Sequence, residues 1–260
     1  MELLNDKTIV VAGAGPGLGR EIARLALRDG ARVVLAARTK DRLETLAHDV
    51  DPSGERVHAV PTDITDASQC ERLAQAAFDR FGRIDGLVQV AALDRVFGGL
   101  AQVTRQEWMD AYELGVVGSA QVVAAASPFM KRGGGGSVVL IGSQSSFIPL
   151  IPQIAYASAK GALSTAMYFM ANELAPDNIR VNSVVATYMW GPPLEKYVTE
   201  TAEARGVPES DVVKELTSIM PLGRIPRDED VAESVLFLCS DRASMITGQH
   251  LLVNAGLMMR

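Results

Sequence analysis

Tyr156 and Lys160 stand four residues apart in Tyr156-Ala157-Ser158-Ala159-Lys160, inside a segment whose apolar spacing predicts a helix over 153–175. On a helix, positions i and i+4 share a face, so a phenol and an ammonium become neighbours. A tyrosine at its reference pKa of about 10 is a sluggish acid–base group at neutral pH; an adjacent cation favours the phenolate and lowers that pKa, which makes Tyr156 a candidate proton donor and acceptor. Ser143 precedes it by thirteen residues, at the C-terminal end of a predicted strand, where ligands settle in open α/β sheets. The Y-x-x-x-K spacing alone is weak, since any amphipathic helix can contain it by chance.

A second cluster, Ala12-Gly13-Ala14-Gly15-Pro16-Gly17-Leu18-Gly19, follows the first strand and opens an amphipathic helix. The G-x-G-x-x-G spacing fails, because Leu18 or Arg20 fills its last slot; G-x-x-x-G-x-G fits on Gly13, Gly17 and Gly19. Residues without Cβ allow a tight turn and close approach of a pyrophosphate to the free N–H groups of a helix N-terminus. The second strand ends Leu35-Ala36-Ala37-Arg38, with no carboxylate for a ribose 2′-hydroxyl but a forked cation suited to a 2′-phosphate. NADP(H) is therefore favoured, with NAD(H) open, because an arginine at a strand end is also a common surface residue. Asp63, just after the third strand, is placed to recognise an adenine amino group or to serve as a turn residue before Asp66.

The elements that must position these groups alternate. Strands are predicted at Thr8–Ala12, Ala31–Ala36, Val57–Val60, Gly86–Val90, Ser137–Ile141, Arg180–Val185 and Gln249–Val253. Helices are predicted over 18–29, 40–50, 66–82, 104–131, 153–175 and 228–239. Leu18, Ile22, Leu25 and Ala26 make one apolar stripe on the first helix. The strands read as continuous apolar runs, which argues for a parallel sheet covered on both faces. The fold class is α/β: a single doubly wound domain with a parallel seven-stranded sheet over residues 1–260. The stretch from Ala186 to Arg227, rich in Gly and Pro, breaks the rhythm and predicts an irregular functional loop, about 187–227.

Composition excludes other classes. The 260 residues are 48% hydrophobic, enough for a real core, and 31 acidic against 25 basic side chains leave a net charge of −6. No bulk positive field exists to hold nucleic acid. Cys70 and Cys239 predict buried free thiols rather than a disulfide framework. Met1 to Lys7 has no apolar core of signal-peptide type, and Val116 to Ala126 is broken by Gly118, Ser119 and Gln121, short of the roughly 18 apolar residues of a membrane span. The expectation is a cytoplasmic protein without membrane contact. His48, His58 and His250 show no metal-ligand spacing.

Taken together, these residues resemble the short-chain dehydrogenase/reductase family over essentially the whole chain. Gly13, Gly17 and Gly19 match its glycine motif, Asp63 its adenine-pocket aspartate, and Ser143, Tyr156 and Lys160 its catalytic serine, tyrosine and lysine. Arg180-Val181-Asn182, Phe237-Leu238-Cys239-Ser240-Asp241 and Val253-Asn254-Ala255-Gly256 resemble further family segments. The resemblance implies a Rossmann-type domain over the whole chain and reversible hydride transfer between a nicotinamide and an alcohol or carbonyl. It implies that Tyr156 protonates the developing alkoxide, that Lys160 holds the nicotinamide ribose and lowers the tyrosine pKa, and that Ser143 positions the substrate oxygen. With Gly13, Gly17, Gly19, Asp63, Tyr156, Lys160 and Arg38, the expected cofactor surface takes in Gly15, Leu18, Ile64, Ala91 and Thr187, and the implied assembly is a homo-oligomer, a tetramer, through the 104–131 and 153–175 helices. These two helices carry more apolar surface than one sheet face would bury, which makes Val122, Ala125, Met167, Met170 and Ala171 candidate interface residues, with core packing the simpler reading of each taken alone.

Departures from the family pattern are informative. Gln89-Val90-Ala91-Ala92 replaces Asn-Asn-Ala-Gly, which predicts altered packing beside the cofactor wall. Gly115 replaces the family's catalytic asparagine, which predicts a weakened or rerouted proton relay with the local helix irregularity retained. Ala186-Thr187 replaces Pro-Gly, Gly191 stands where the family's nicotinamide-contacting threonine would align without a gap, and the hydroxyl of Thr187 is a candidate substitute for that contact. Tyr188, Met189 and Trp190 suggest either an apolar, cyclic or aryl substrate or a lid packed on its own domain; Ser145 and Gln153, with Leu93, Val96 and Phe97, are further candidate wall residues. The principal expectation is an oxidoreductase of an apolar secondary alcohol or ketone. The competing ones are an impaired nucleotide-binding regulator or scaffold, motivated by Gly115, and a cofactor-independent lyase, disfavoured by the intact lysine and glycine turn.

Overall fold

The structure, a computed structural model, describes residues 3–93 and 96–259. Seven strands, β1 (Thr8–Ala12), β2 (Arg32–Ala37), β3 (Val57–Pro61), β4 (Gly86–Gln89), β5 (Gly136–Ser143), β6 (Ile179–Ala186) and β7 (His250–Val253), form one parallel sheet in the order β3-β2-β1-β4-β5-β6-β7. Every residue of β1 is buried, and its alternate side chains serve two different cores. Ile9 and Val11 join the helices α1 (Leu18–Arg28), α2 (Lys40–Val50) and α9 (Asp228–Cys239), while Val10 and Ala12 join α3 (Ala67–Phe81), α5 (Gly118–Arg132) and α6 (Ile154–Leu174). That two-sided cover is why the strands are continuous apolar runs.

The predicted stripe of α1, Leu18, Ile22, Leu25 and Ala26, is buried against the sheet. Cys70 and Cys239 are buried free thiols as expected, and burial pushes the Cys239 pKa up to about 12. Among the described residues no helix is long and apolar enough to cross a membrane.

Three expectations are corrected. The region 104–131 is not one helix: α4 (Arg105–Tyr112) passes into a π-helical turn, Glu113–Val117, and then into α5. Pro128 inside α5 removes the donor for the Ala124 carbonyl, and the Ser127 hydroxyl donates to that oxygen at 3.1 Å. The stretch 186–227 is not irregular either. It folds into α7 (Pro192–Arg205) and α8 (Glu209–Thr217), which enclose a small core of Leu194, Val198, Ala202, Val212, Met220 and Ile225. Finally, Val122, Met167 and Ala171 are 1%, 0% and 5% exposed and lie in the chain's own core. The exposed apolar surface of these helices is carried by Met109, Tyr112, Val117, Tyr168 and Phe169 instead.

Two mutations test this architecture. Gly13 has φ +100°, and an added Cβ would fall 2.2 Å from the Ala91 nitrogen; Gly13→Ala should lower stability by about 3 kcal/mol in urea unfolding. Val198→Ala, in the separate small core, should cost about 2 kcal/mol locally and raise hydrogen exchange in α7 and α8 while β1 and β5 amides keep their protection.

Candidate active site

The strand order reverses between β1 and β4, and at the carboxyl ends of the strands around that point lies a cleft of about 630 Å³. Its floor is the glycine turn. Gly13 and Ala14 both donate their N–H to the Ala36 carbonyl, at 2.8 and 2.9 Å, which ties the turn to the end of β2. Gly13, Gly17 and Leu18 face the cleft. Gly19 does not; its missing Cβ, which would stand 2.9 Å from the Ala14 Cα, lets α1 pack on the turn. Gly15 also lies off the lining, with open space where a Cβ would stand. The residue before α1, Gly17, offers no side-chain cap, so the helix N-terminus keeps its backbone donors for the cleft.

Along one wall stand Arg38, Asp63, Ile64 and Ala91. Arg38 is exposed and, among the described residues, engaged in no hydrogen bond or ion pair. Asp63 serves its own turn: one carboxylate oxygen accepts from the Thr65 N–H at 3.0 Å and from its hydroxyl at 2.8 Å. It faces the cleft as well, so the two readings of that residue are compatible. Gln89, fully buried, donates its side-chain amide to the Ala91 carbonyl at 2.7 Å. The bond holds the segment that replaces Asn-Asn-Ala-Gly to its own backbone.

The candidate catalytic residues meet on the opposite wall. Lys160, 2% exposed, donates from Nζ to the Ile141 carbonyl of β5 at 2.5 Å and stands 5.8 Å from the centroid of the Tyr156 ring. Ser143, at the end of β5, has its hydroxyl 2.8 Å from that of Ser145 and accepts the Ser145 N–H at 3.2 Å. Ser143, Ser145, Gln153, Tyr156 and Lys160 all line the cleft. The loop before α6 is clamped by Gly98, whose N–H donates to the Pro152 carbonyl at 2.6 Å while its carbonyl accepts from Ile154 at 3.3 Å. This fixes where α6 begins and so where Tyr156 points.

The π-helical turn runs beside this group. Leu114 faces the cleft, and Gly115 is buried, its carbonyl accepting the Ser119 hydroxyl at 2.8 Å. The helix irregularity thus survives without the asparagine. Thr187 lines the cleft with its buried hydroxyl lacking a partner among the described residues, and the Gln144 side-chain oxygen is in the same condition. Buried polar atoms left unmade are costly, and both fit a polar ligand such as a nicotinamide dinucleotide laid along the cleft.

The outer end is apolar. Phe97, Ile148, Leu150, Ile151, Tyr188 and Tyr197 line it, and burial raises the Tyr188 phenol above its ordinary pKa. Trp190 does not line the cleft: it packs beside the α7–α8 core, its N–H donating to the Pro226 carbonyl at 2.7 Å. Val96, buried, and Leu93 likewise pack with Ala155 and Ala159 rather than line the wall.

Sequence reasoning missed Asp228. This first residue of α9 is 9% exposed and faces the cleft between Gly17 and Gly191. Burial, then the charges of Glu21 and Glu195, push its carboxyl up to about 6. An aspartate in the first turn of a helix ordinarily signals only a favourable dipole contact, so no local signal marked it. Tyr197 and the run Ile148–Ile151 were also missed, since neither falls on a strand or helix period that aims at the sheet.

A family model described as enoyl-(acyl carrier protein) reductase matches residues 13–258. The dehydrogenase/reductase SDR family member 4 of Mus musculus is 33% identical over 97% of this chain and 88% of its own. L-rhamnose 1-dehydrogenase (NAD(P)(+)) of Azotobacter vinelandii is 32% identical over 98% of each chain. A solved short-chain type dehydrogenase/reductase from Mycobacterium ulcerans superposes with a TM-score of 0.89 at 32% identity, covering 99% of this chain and 91% of that one. A doubly wound parallel sheet, a glycine turn at its switch point and likeness along the whole length converge on one conclusion: the chain belongs to the short-chain dehydrogenase/reductase family and is an oxidoreductase of alcohol and carbonyl groups, a family that works with NAD(P)(H).

Proposed function

We propose that the chain transfers hydride between NADP(H) and an apolar, cyclic or aryl secondary alcohol or ketone. The observation that carries this reading is the buried Lys160 ammonium beside the Tyr156 ring in a cleft floored by the glycine turn. When bound, the dinucleotide supplies or accepts the hydride. In the reduction direction Tyr156 donates its phenolic proton to the substrate oxygen as charge develops there. Lys160, held by the Ile141 carbonyl, favours the phenolate that remains and orients the nicotinamide ribose. Ser143, its hydroxyl shared with Ser145, donates to the same substrate oxygen. In the oxidation direction each proton moves the opposite way.

The cofactor surface in this reading is Gly13, Gly17 and Leu18 beneath the diphosphate, with Gly15 and Gly19 shaping the turn. Asp63, Ile64 and Ala91 flank the adenosine, and Thr187 offers its hydroxyl to the nicotinamide amide. Arg38, exposed and without a protein partner among the described residues, takes the 2′-phosphate. Gly115 leaves the relay behind Lys160 to backbone groups and solvent, a rerouted path rather than an abolished one. The substrate wall of Ser145, Gln153 and Tyr188, with Phe97, Ile148 and Leu150, suits an apolar ring. The protein works in the cytoplasm, where two buried free thiols suit a reducing milieu. It assembles as a homotetramer through the exposed apolar side chains of α4 and α6, such as Met109, Tyr168 and Phe169.

Two substitutions test the reading. Tyr156→Phe should lower kcat by a factor of about 100 or more while dinucleotide affinity, followed by nicotinamide fluorescence, is unchanged; retained turnover would overturn the proton role. Arg38→Ala should erase about 1 to 3 kcal/mol of preference for NADPH over NADH. Tighter binding of NADH by the unmodified protein would assign the site to NAD(H) and make Arg38 a bystander.

A further inference from the structure

Asp228 is the buried charge in the cleft that the proposed chemistry does not use. It is 9% exposed, lines the cleft, and among the described residues its carboxylate makes no hydrogen bond and no ion pair. Its position is defined from two sides. A Cβ on Gly17, the last residue before α1, would stand 3.2 Å from Asp228 Oδ2, and one on Gly191, the last before α7, would stand 2.4 Å from it. The carboxylate is therefore wedged between the helix N-terminus that the dinucleotide reading assigns to the diphosphate and the loop that closes over it.

The charges facing this group are all of its own sign or already engaged. Glu21 on α1 is paired with Arg20 at 3.2 Å and Arg24 at 2.8 Å; Glu195 lies in the first turn of α7. On α9 itself, Glu229 is paired with Arg24 at 3.2 Å and Asp230 accepts the Arg227 N–H at 2.8 Å. An ionised Asp228 would repel a diphosphate laid on the same turn, whereas its neutral form carries an O–H that can donate to a phosphate oxygen.

We infer that Asp228 is a further cofactor-binding residue: on dinucleotide binding its carboxylate takes one proton from solvent, and the resulting O–H donates to a diphosphate oxygen above Gly17. The inference rests on the dinucleotide reading above and adds a proton to the binding equilibrium. The direction follows by linkage. The free protein's carboxyl titrates near 6, and an adjacent diphosphate raises that value further, so uptake is small well below pH 6 and grows above it. Affinity then falls as pH rises from about 6 until the bound-state pKa is passed.

The test uses ADP-ribose, whose diphosphate does not titrate near neutrality and which lacks the 2′-phosphate that would. Calorimetric titration of the intact protein at pH 6 and pH 8, in buffers of different ionisation enthalpy, should show a Kd about fivefold weaker at pH 8, with net proton uptake. Asp228→Asn, which keeps the shape and donates constitutively, should bind with no pH slope and at pH 8 more tightly than the unmodified protein. Unmodified protein that binds ADP-ribose without taking up a proton overturns the assignment, whatever the variant does, and so does an Asp228→Asn variant that keeps the slope. Failure to bind ADP-ribose and NADPH at either pH overturns the dinucleotide reading along with it, which separates the two failures.

Discussion

The cleft depends on one close approach. At Gly13 the chain leaves β1 with φ +100°, and the site of its absent Cβ falls 2.2 Å from the Ala91 nitrogen at the end of β4. Any side chain there would push β1 and β4 apart at the point where the strand order reverses. Because β1 also pairs with β2, and the Ala36 carbonyl takes both Gly13 and Ala14 N–H groups, the turn is fixed relative to three strands at once. Helix α1 then starts at the cleft floor with its N-terminus uncapped by a side chain. The pocket is thus a consequence of sheet topology and of one residue's lack of a side chain, and loop variation around it leaves the floor intact.

Among the described residues, two buried charges line the cleft and are treated in opposite ways. Lys160 is 2% exposed yet has its ammonium hydrogen-bonded to the Ile141 carbonyl, so the desolvation of a cation is offset by an oriented backbone dipole. Asp228 is nearly as buried and has no such offset among the described residues. The protein therefore keeps a fixed positive charge beside the Tyr156 ring and a weakly held negative one beside the uncapped N-terminus of α1. Pre-organisation on one wall and readiness to lose charge on the other follow from which backbone or side-chain groups lie within reach.

The sheet was legible because its signals are redundant. The predicted β1 matches the observed strand, and α2 and α9 match at both ends, since continuous β-branched runs and amphipathic stripes carry the same message at every residue. The site was legible in part for the same reason: glycines at a strand end and a tyrosine–lysine pair at i and i+4 are local patterns, and ten of the twelve expected cofactor residues line the cleft, with Gly15 and Gly19 off it. What failed was the reading of glycine and proline as loop. Pro192 and Pro193 stand at the start of α7, where a missing N–H is harmless, Gly206 ends it with φ +65°, and Pro208 precedes α8. The breakers that suggested an irregular stretch are the caps of two helices. For the candidate interface residues the simpler core reading holds, because helical periodicity does not say which apolar stripe the chain's own core takes. Val122 and Met167 face inward, while Phe169, 73% exposed, faces out.

Trp190 and Asp228 show why the remainder could not be read locally. Both belong to the junction where the end of β6, the start of α7 and the start of α9 meet: Trp190 pairs with Arg227 across it, and Asp228 follows directly. Trp190 is drawn away from the cleft because the α7–α8 core offers its ring apolar neighbours. Gly191, next in the chain, lies against the Asp228 carboxylate, close enough that a Cβ there would displace it. An aromatic side chain packed on one side and a buried carboxylate on the other thus share one junction. Neither placement exists until segments nearly forty residues apart have docked, and a junction of that kind leaves no periodicity in either segment alone.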